Sequence, residues 1–451
     1  MKAGQRFGNK QQIMRPRFKS LIAGAVISIV LGCDASQDSP GEAQFRHDVP
    51  GALAPSTDEN FDTADNKFTF RPAELRLTAT GVPAKPGSMG PRLSSGPASE
   101  LLLSWMEPGD DGTSLQFAHW ESDAWRGPHT VVEDAGMFVN WTDLPSVAPI
   151  GDDRLAAHWM RRSPVESHAH DVLVTQSFDG GQSWLPPVKP HTDGTASEHG
   201  LVSLFAQGDE VGILWLDGRK QVNEVTDDPV ASAMTLRAAR LDQQQQLHGE
   251  QLVDEMVCDC CQIGAAKTRN GYIAAYRDRS VEEFRDIVIS SFENDRWQPG
   301  RSVHADGWQI LACPFNGPSV AVREQTVAVA WFTAVPSAAI KLAISDDAGT
   351  NFAAPVIVAE TDVLGRVTAE FIDGVSVAVS WLQSTEAGYS VNVRRVSLNG
   401  SFGPVRTITD SAAGLSVPQM ARSNGSMVFV WTEDGDNGES IASASAPLDT
   451  L

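Results

Sequence analysis

The sequence predicts an all-β chain folded as a single β-propeller of four-stranded antiparallel blades, and three observations carry that prediction. From about residue 67 to 451 the chain consists of short alternating or apolar runs separated by Gly, Asp, Asn and Pro, with almost nothing at a sustained helical period. An apolar strand ending in an aromatic residue then recurs seven times, at Trp105, Trp159, Trp215, Tyr276, Trp331, Trp381 and Trp431, with spacings of 54, 56, 61, 55, 50 and 50 residues. A repeat of that length built only from strands fits propeller blades. Thirdly, Ser177 to Trp184 and Ser345 to Phe352 share the pattern S-x-D-x-G-x-x-W/F, a tight turn in which Asp accepts backbone N–H groups, Gly takes a conformation other residues avoid, and the aromatic packs between sheets. Segments around Trp125, Ser291–Trp297 and Phe402 read as worn copies.

Seven aromatic-ended strands give seven blades. The last repeat runs out after Ile441 to Ala446 with room for three strands. The strand near Glu74 to Ala79 is therefore expected to close the final sheet as its outer member, which removes an exposed sheet edge.

The N-terminus carries a different signal. Residues 1–32 hold six basic residues and no acidic one, followed by an uncharged stretch that ends at Cys33. That layout is a bacterial export leader, and the apolar run is shorter than the roughly 20 residues a membrane-spanning helix needs. Val30, Leu31, Gly32 and Cys33 resemble a lipobox, so Cys33 is expected to be lipidated and residues 33–66, rich in Asp, Ser, Gly, Pro and Ala, to form a flexible tether. The expectation is a lipid-anchored protein on the periplasmic side of the cell envelope, on the inner or outer membrane. Removing the six leader cations from the 35 basic residues leaves 29 against 57 acidic ones, a formal charge of −28. Such a surface excludes nucleic acid as a partner and leaves the acyl chains as the sole membrane attachment.

In a four-stranded blade the turn holding the Ser/Asp/Gly motif lies at the far end from where innermost strands begin and second strands finish. That opposite rim is where loops converge, and it collects the reactive residues. Innermost-strand starts supply Asn140, Trp141, Glu198, His199, Cys258, Cys260, Cys261, Cys313, Asn316 and Arg366. Second-strand ends supply Asp217, Arg219, Arg277, Asp278 and Arg279, with Arg285 and Asp286 in the next connection. The approaches to inner strands add His191, Asp193, His304, Asp306 and Trp308. Glu198, Asp217, Asp278 and Asp306 are the candidate acids. His199, Arg219, Arg277, Arg279, Arg285, Trp308, Asn316 and Arg366 are the candidate ligand-binding residues. Most of them belong to repeats three to five. Turns that every blade needs would decorate every blade, so the concentration in one sector favours a site.

Three of the four rim cysteines lie within four residues, and Cys313 opens the next inner strand. Export permits disulfides, and the strain of an adjacent Cys260–Cys261 bond favours a bridge from Cys313 to one of the triplet. A single bridge between neighbouring blades with free thiols is equally consistent. The rival reading is a soft-metal site using Cys258, Cys260, Cys261 and Cys313 with His199 or His304. Three thiolates in four residues do not match a structural zinc loop, and copper(I) fits them better.

The Ser/Asp/Gly turns make residues 90–446 resemble the BNR-repeat, sialidase-like propellers. The ordered motifs E-H-G-L-V-S-L-F at Glu198, W-L-D-G-R at Trp215, C-D-C-C at Cys258, Y-R-D-R-S at Tyr276, D-G-W at Asp306 and C-P-F-N-G-P at Cys313 are similar to a bacterial group of exported propellers often labelled exo-α-sialidase. That resemblance implies a six-bladed alternative, an arginine cluster for a substrate carboxylate, a Tyr nucleophile and an acid. Five arginines are available. Tyr276, however, occupies the repeat's aromatic position, and neither Tyr272 nor Tyr389 has a place on the rim. Three readings follow: binding of a carbohydrate, a carboxylate-bearing ligand or an envelope protein; a metal-dependent, copper-type or redox role for the cysteines; and a glycoside hydrolase or sialidase-type enzyme.

Overall fold

The computed structural model describes residues 73–96, 99–163, 169–222, 228–435 and 438–451. The leader, Cys33 and the tether lie outside the described residues.

After the short strand β1 (Thr78–Ala79), successive stretches of chain form antiparallel up-and-down sheets. They are β2–β5 (Met89–Ser95, Leu101–Pro108, Thr113–Glu121, Ala124–Asp134), β6–β8 (Ser146–Gly151, Arg154–Arg162, His170–Ser177) and β9–β12 (His199–Gln207, Glu210–Asp217, Thr235–Leu241, Leu247–Asp254). Next come β13–β17 (Gly264–Thr268, Gly271–Arg277, Ile287–Glu293, Arg296–Trp297, Arg301–His304), in which β16 and β17 divide the outer position, and β18–β21 (Ser319–Arg323, Thr326–Thr333, Ala339–Ser345, Val356–Glu360). The last are β22–β25 (Val363–Phe371, Ser376–Thr385, Gly388–Ser397, Phe402–Ala412) and β26–β28 (Gln419–Ser423, Ser426–Gly435, Gly438–Pro447), joined by a single pairing of Ala412 with Glu433. In place of a fourth strand, the β6–β8 sheet has an isolated bridge between Val174 and Val188.

The innermost strands β2, β6, β9, β13, β18, β22 and β26 neighbour one another in that order, and β26 returns to β2. The chain is a β-propeller. Thr78 and Ala79 pair with Ser445 and Ala444, so the N-terminal strand closes the ring as the outer member of the final sheet, as the sequence predicts.

The second-strand aromatics explain the repeat. Trp105, Trp215, Trp331 and Trp381 are fully buried between sheets, where each removes a large apolar surface from water. A buried indole N–H must also find an acceptor. Trp105, Trp215, Trp381 and Trp431 each donate to the residue two positions on, Glu107 (3.3 Å), Asp217 (2.8 Å), Gln383 (3.0 Å) and Glu433 (2.8 Å). Trp159, Tyr276 and Trp331 instead donate across the seam to an acid at or just beyond the end of the preceding sheet, namely Asp134 (3.1 Å), Asp254 (2.7 Å) and Asp306 (2.6 Å).

Both Ser/Asp/Gly turns adopt the expected geometry. Gly181 N–H and Gly349 N–H donate to Ser177 Oγ and Ser345 Oγ (2.8 and 2.9 Å), and Ser183 N–H and Asn351 N–H donate to Asp179 and Asp347 (2.9 and 2.8 Å). Hydrogen bonds from the Ser183 hydroxyl and N–H to Asp179, and from Asn351 N–H and Nδ2 to Asp347, hold both carboxyl groups at a pKa of about 2. Gly181 has a φ of +89°, and a Cβ there would lie 2.4 Å from Phe117 Cζ, so a side chain has no room.

Candidate functional site

At the opposite rim, the loops leading into β6, β9, β13 and β18 meet around a cleft of about 200 Å³. Asn140, Thr142, Asp143, Glu198, Asp259, Cys260 and Phe315 are among its lining residues. The loops are tied to one another by side chains that cross from one sheet to the next. Asp143 accepts from Leu201 N–H (2.7 Å), Gln262 Nε2 donates to the Thr142 carbonyl (3.2 Å), and Asn316 Oδ1 accepts from Arg366 N–H (2.7 Å). Leu201 and Arg366 both have positive φ, 50° and 54°, so the cross-links hold strained backbone at equivalent places.

The cysteines meet on one wall of this cleft. Cys258 and Cys261 form a disulfide with their Cα atoms 5.8 Å apart. This departs from the expected bridge between Cys313 and the triplet. The reason is local: Asp259 and Cys260 make a turn that brings their flanking cysteines within bonding reach of each other. Cys260 is buried and Cys313 exposed, both as free thiols. Their side chains share a hydrogen bond that pushes the Cys260 thiol up and draws the Cys313 thiol down. Cys260 Sγ is 3.9 Å from Cys258 Sγ, and Phe315 packs against the cluster.

The candidate arginines are all engaged. Arg277 is buried and donates to three backbone carbonyls, of Asn316 (2.8 Å), Arg285 (2.5 Å) and Phe332 (2.7 Å), while lying 4.8 Å from the Trp308 ring. Burial lowers its pKa to about 9. Arg279 pairs with Glu283 (2.6 Å) and Asp259 (3.2 Å), and Arg285 with Glu283 (2.8 Å), also reaching Cys258 Sγ at 3.6 Å. Arg219 grips Asp217 (2.7 Å) and Glu250 (2.8 Å). Arg366 donates to the Gly414 carbonyl (2.6 Å) and lies 4.8 Å from the Trp141 ring. Three of these guanidinium groups, on Arg219, Arg279 and Arg285, are paired with carboxylates, and two, on Arg277 and Arg366, bond to carbonyls. They do not form an open clamp for a substrate carboxylate.

The candidate acids separate by environment. Asp217 and Asp306 are buried and serve as acceptors for Trp215 and Trp331, with Arg219 and Lys341 as their cations. Glu198 is exposed on the cleft wall. Burial, reinforced by Asp254, pushes the Asp278 carboxyl up to about 6.

Neither candidate histidine joins the sulfurs. His199 is buried, stacked on His191 at 3.7 Å, with Nδ1 directed at the His170 carbonyl (3.2 Å) and Nε2 facing Asp193 (3.3 Å) and Asp217 (3.7 Å). His304 faces Asp306 at 3.7 Å. Of the metal-ligand set read from sequence, the free thiols at the cleft are thus Cys260 and Cys313, while His199 sits apart in a cluster with His191, Asp171, Asp193 and Asp217. Asp259, Glu283, Phe315 and Asp143 complete the neighbourhood and were not among the sequence candidates; only Asp259, inside C-D-C-C, stood in a motif that could have pointed to it.

Fold and rim together define a β-propeller with a sulfur-bearing cleft at one mouth of its ring. No protein-family model and no curated protein matches the chain. Among solved structures, a protein of unknown function from Dyadobacter fermentans is similar over 84% of this chain and 98% of its own (13% identity, TM-score 0.47). The Hadza microbial sialidase Hz136 is similar over 76% of this chain and 75% of its own (13% identity, TM-score 0.42). The β-propeller domain of the Trilobed protease from Pyrococcus furiosus is similar over 80% and 97% (14% identity, TM-score 0.45).

Proposed function

We propose that this chain is an exported, lipid-anchored, seven-bladed propeller that binds a soft metal ion, copper(I), through Cys260 and Cys313 at the rim cleft. The observation that carries the reading is the pair of free thiols in mutual contact, one lining the cleft and the other open to solvent. Thiolates select soft ions, and copper(I) accepts low coordination by sulfur. Arg279 and Arg285, fixed by Glu283, place positive charge beside the cysteine cluster, with Arg285 Nη1 3.6 Å from Cys258 Sγ. The ring of seven innermost strands supports the blade count, and the leader ending at Cys33 supports the anchor, which metabolic labelling with a radioactive fatty acid tests in wild type and Cys33→Ala. The reading is tested by anaerobic titration of the mature protein with copper(I) against a chromophoric chelator. One ion per chain is expected, abolished in Cys260→Ser/Cys313→Ser. A chelator titration that is the same with and without protein refutes it.

A second reading, a hydroxyl-rich carbohydrate in the same cleft, is favoured by the lining itself. Phe138 and Phe315 line it beside Asn140, Thr142, Glu198 and Asp259, a mixture of aromatic and polar groups suited to sugar rings. Since the rim arginines are engaged, neutral sugars are expected over acidic ones. Glycan-array binding that disappears in Glu198→Gln supports this reading; a blank array, or binding indifferent to that substitution, rejects it.

A further inference from the structure

We infer that the Cys258–Cys261 disulfide gates the metal site: its reduction frees two sulfur ligands beside Cys260 and opens a three-sulfur site of Cys258, Cys260 and Cys261 next to Cys313. This rests on the copper reading above and deepens it by assigning the site two redox states of different affinity.

Position carries the argument. The Sγ atoms of Cys258, Cys260 and Cys261 lie within 4.8 Å of one another, and Cys313 touches Cys260. Three sulfurs are thus already gathered while two of them are consumed in a bond. Both ends of the turn are also held by interactions independent of that bond. Cys258 N–H donates to the Arg277 carbonyl (3.1 Å), and Arg277 is itself fixed by three backbone carbonyls. On the other side, the Gln262 side chain bonds the Thr142 carbonyl (3.2 Å) and accepts from Gly317 N–H (3.4 Å). Asp259, at the tip, pairs with Arg279 (3.2 Å). Opening the disulfide therefore leaves the sulfurs in place. A structural staple would be wasted on a turn of four residues already held so firmly, because closing so short a loop removes little chain entropy.

The chemistry balances with a dithiol as reductant. One of its thiolates attacks Cys261 Sγ, the Cys258–Cys261 bond breaks, and the Cys258 thiolate departs beside the Arg285 guanidinium, 3.6 Å away. The second thiol of the reductant then resolves the mixed disulfide, leaving the reductant oxidised and Cys258 and Cys261 with the two electrons and two protons it gave up. Copper(I) binding displaces protons from the thiols it engages.

The test uses the mature protein in three forms: oxidised wild type, wild type reduced by a water-soluble phosphine that is then removed under nitrogen, and Cys258→Ser/Cys261→Ser. Copper(I) affinity is read by chelator competition, with free thiols counted in parallel. Reduction is expected to raise the thiol count from two to four and to tighten binding by about 100-fold, because added thiolates hold a soft ion more strongly. The double variant is expected to bind like oxidised wild type whether or not phosphine is applied. Equal affinity before and after reduction overturns the gate while leaving the copper reading standing. A disulfide that resists phosphine in the folded protein overturns it too. No copper uptake in any form means that the copper reading itself has failed.

Discussion

Asp306 separates a structural from a catalytic account of the rim, and replacing it with Ala gives a large, calculable effect. Its carboxylate is 1% exposed and accepts from Trp331 Nε1 at 2.6 Å and from Lys341 Nζ at 2.6 Å. Removal strands a fully buried indole N–H, a cost of about 1–3 kcal/mol, and a Lys341 ammonium only 13% exposed, for which losing the partner of a buried pair costs about 3–5 kcal/mol. The lysine can swing partly outward, so the two costs overlap and Asp306→Ala is expected to destabilise by about 3–5 kcal/mol in total. Asp306→Asn keeps an acceptor for the indole and loses only the charge, at roughly half that cost. In Asp306→Asn/Lys341→Met the unpaired ammonium is gone as well, and part of the loss returns. Urea unfolding followed by far-UV circular dichroism and tryptophan fluorescence measures each change, provided the two transitions coincide. A loss below about 1 kcal/mol for Asp306→Ala refutes the assignment, and if ligand or copper binding collapsed with stability intact, Asp306 would belong to the site instead.

Three further outcomes follow from the geometry. Burial and the stacked His199 lower the His191 pKa from 6.5 to about 4, so between those values the unfolded chain holds more protons than the folded one; stability is complete above pH 6.5 and falls by about 3 kcal/mol as pH drops to 4, and His191→Gln is expected to flatten that dependence in urea midpoints measured from pH 7.5 to 4.5. Glu370 has the opposite sign, since burial raises its pKa from 4.5 to about 7; it costs stability above pH 7 and relieves that cost on acidification, so Glu370→Gln is expected to stabilise the protein by about 3 kcal/mol at pH 8 and by nothing at pH 4. Gly181→Ala places a Cβ against the Phe117 ring at a φ of +89° and is expected to lower the unfolding free energy by more than the roughly 1–2 kcal/mol of the backbone conformation alone, which a urea titration against wild type resolves.

The propeller was legible because its evidence is periodic. Aromatic-ended second strands and Ser/Asp/Gly turns repeat at blade spacing, and the shortfall of one strand after Ala446 pointed to the N-terminal closure that Thr78 and Ala79 make. The rim was legible as a place and much less so as a set of roles. Arg219, Arg277, Arg279, Arg285 and Arg366 look alike in sequence, yet their partners are Asp217, backbone carbonyls, Glu283 and Asp259, which only the folded arrangement brings together. Asp306 reads as a loop acid in D-G-W, and its indole partner lies 25 residues on. The pairing of Cys258 with Cys261 was hidden for a related reason: spacing shows which sulfurs are close along the chain, and the turn at Asp259 and Cys260 decides which ones face each other.

The two styles of indole bonding also bear on how such a ring could have grown. A repeat whose tryptophan binds the residue two positions on and which lends no acid to its neighbour, as at Trp381 and Trp431, carries its lock with it and can be copied or deleted as a cassette. Repeats joined through Asp134, Asp254 and Asp306 share a lock between neighbours, so losing one leaves the other with a buried donor and no acceptor. The β9–β12, β13–β17 and β18–β21 sheets, which are chained in this way, supply Glu198, the C-D-C-C turn and Cys313 to the cleft. Duplication could therefore have lengthened or shortened the ring elsewhere while this sector was inherited as one block.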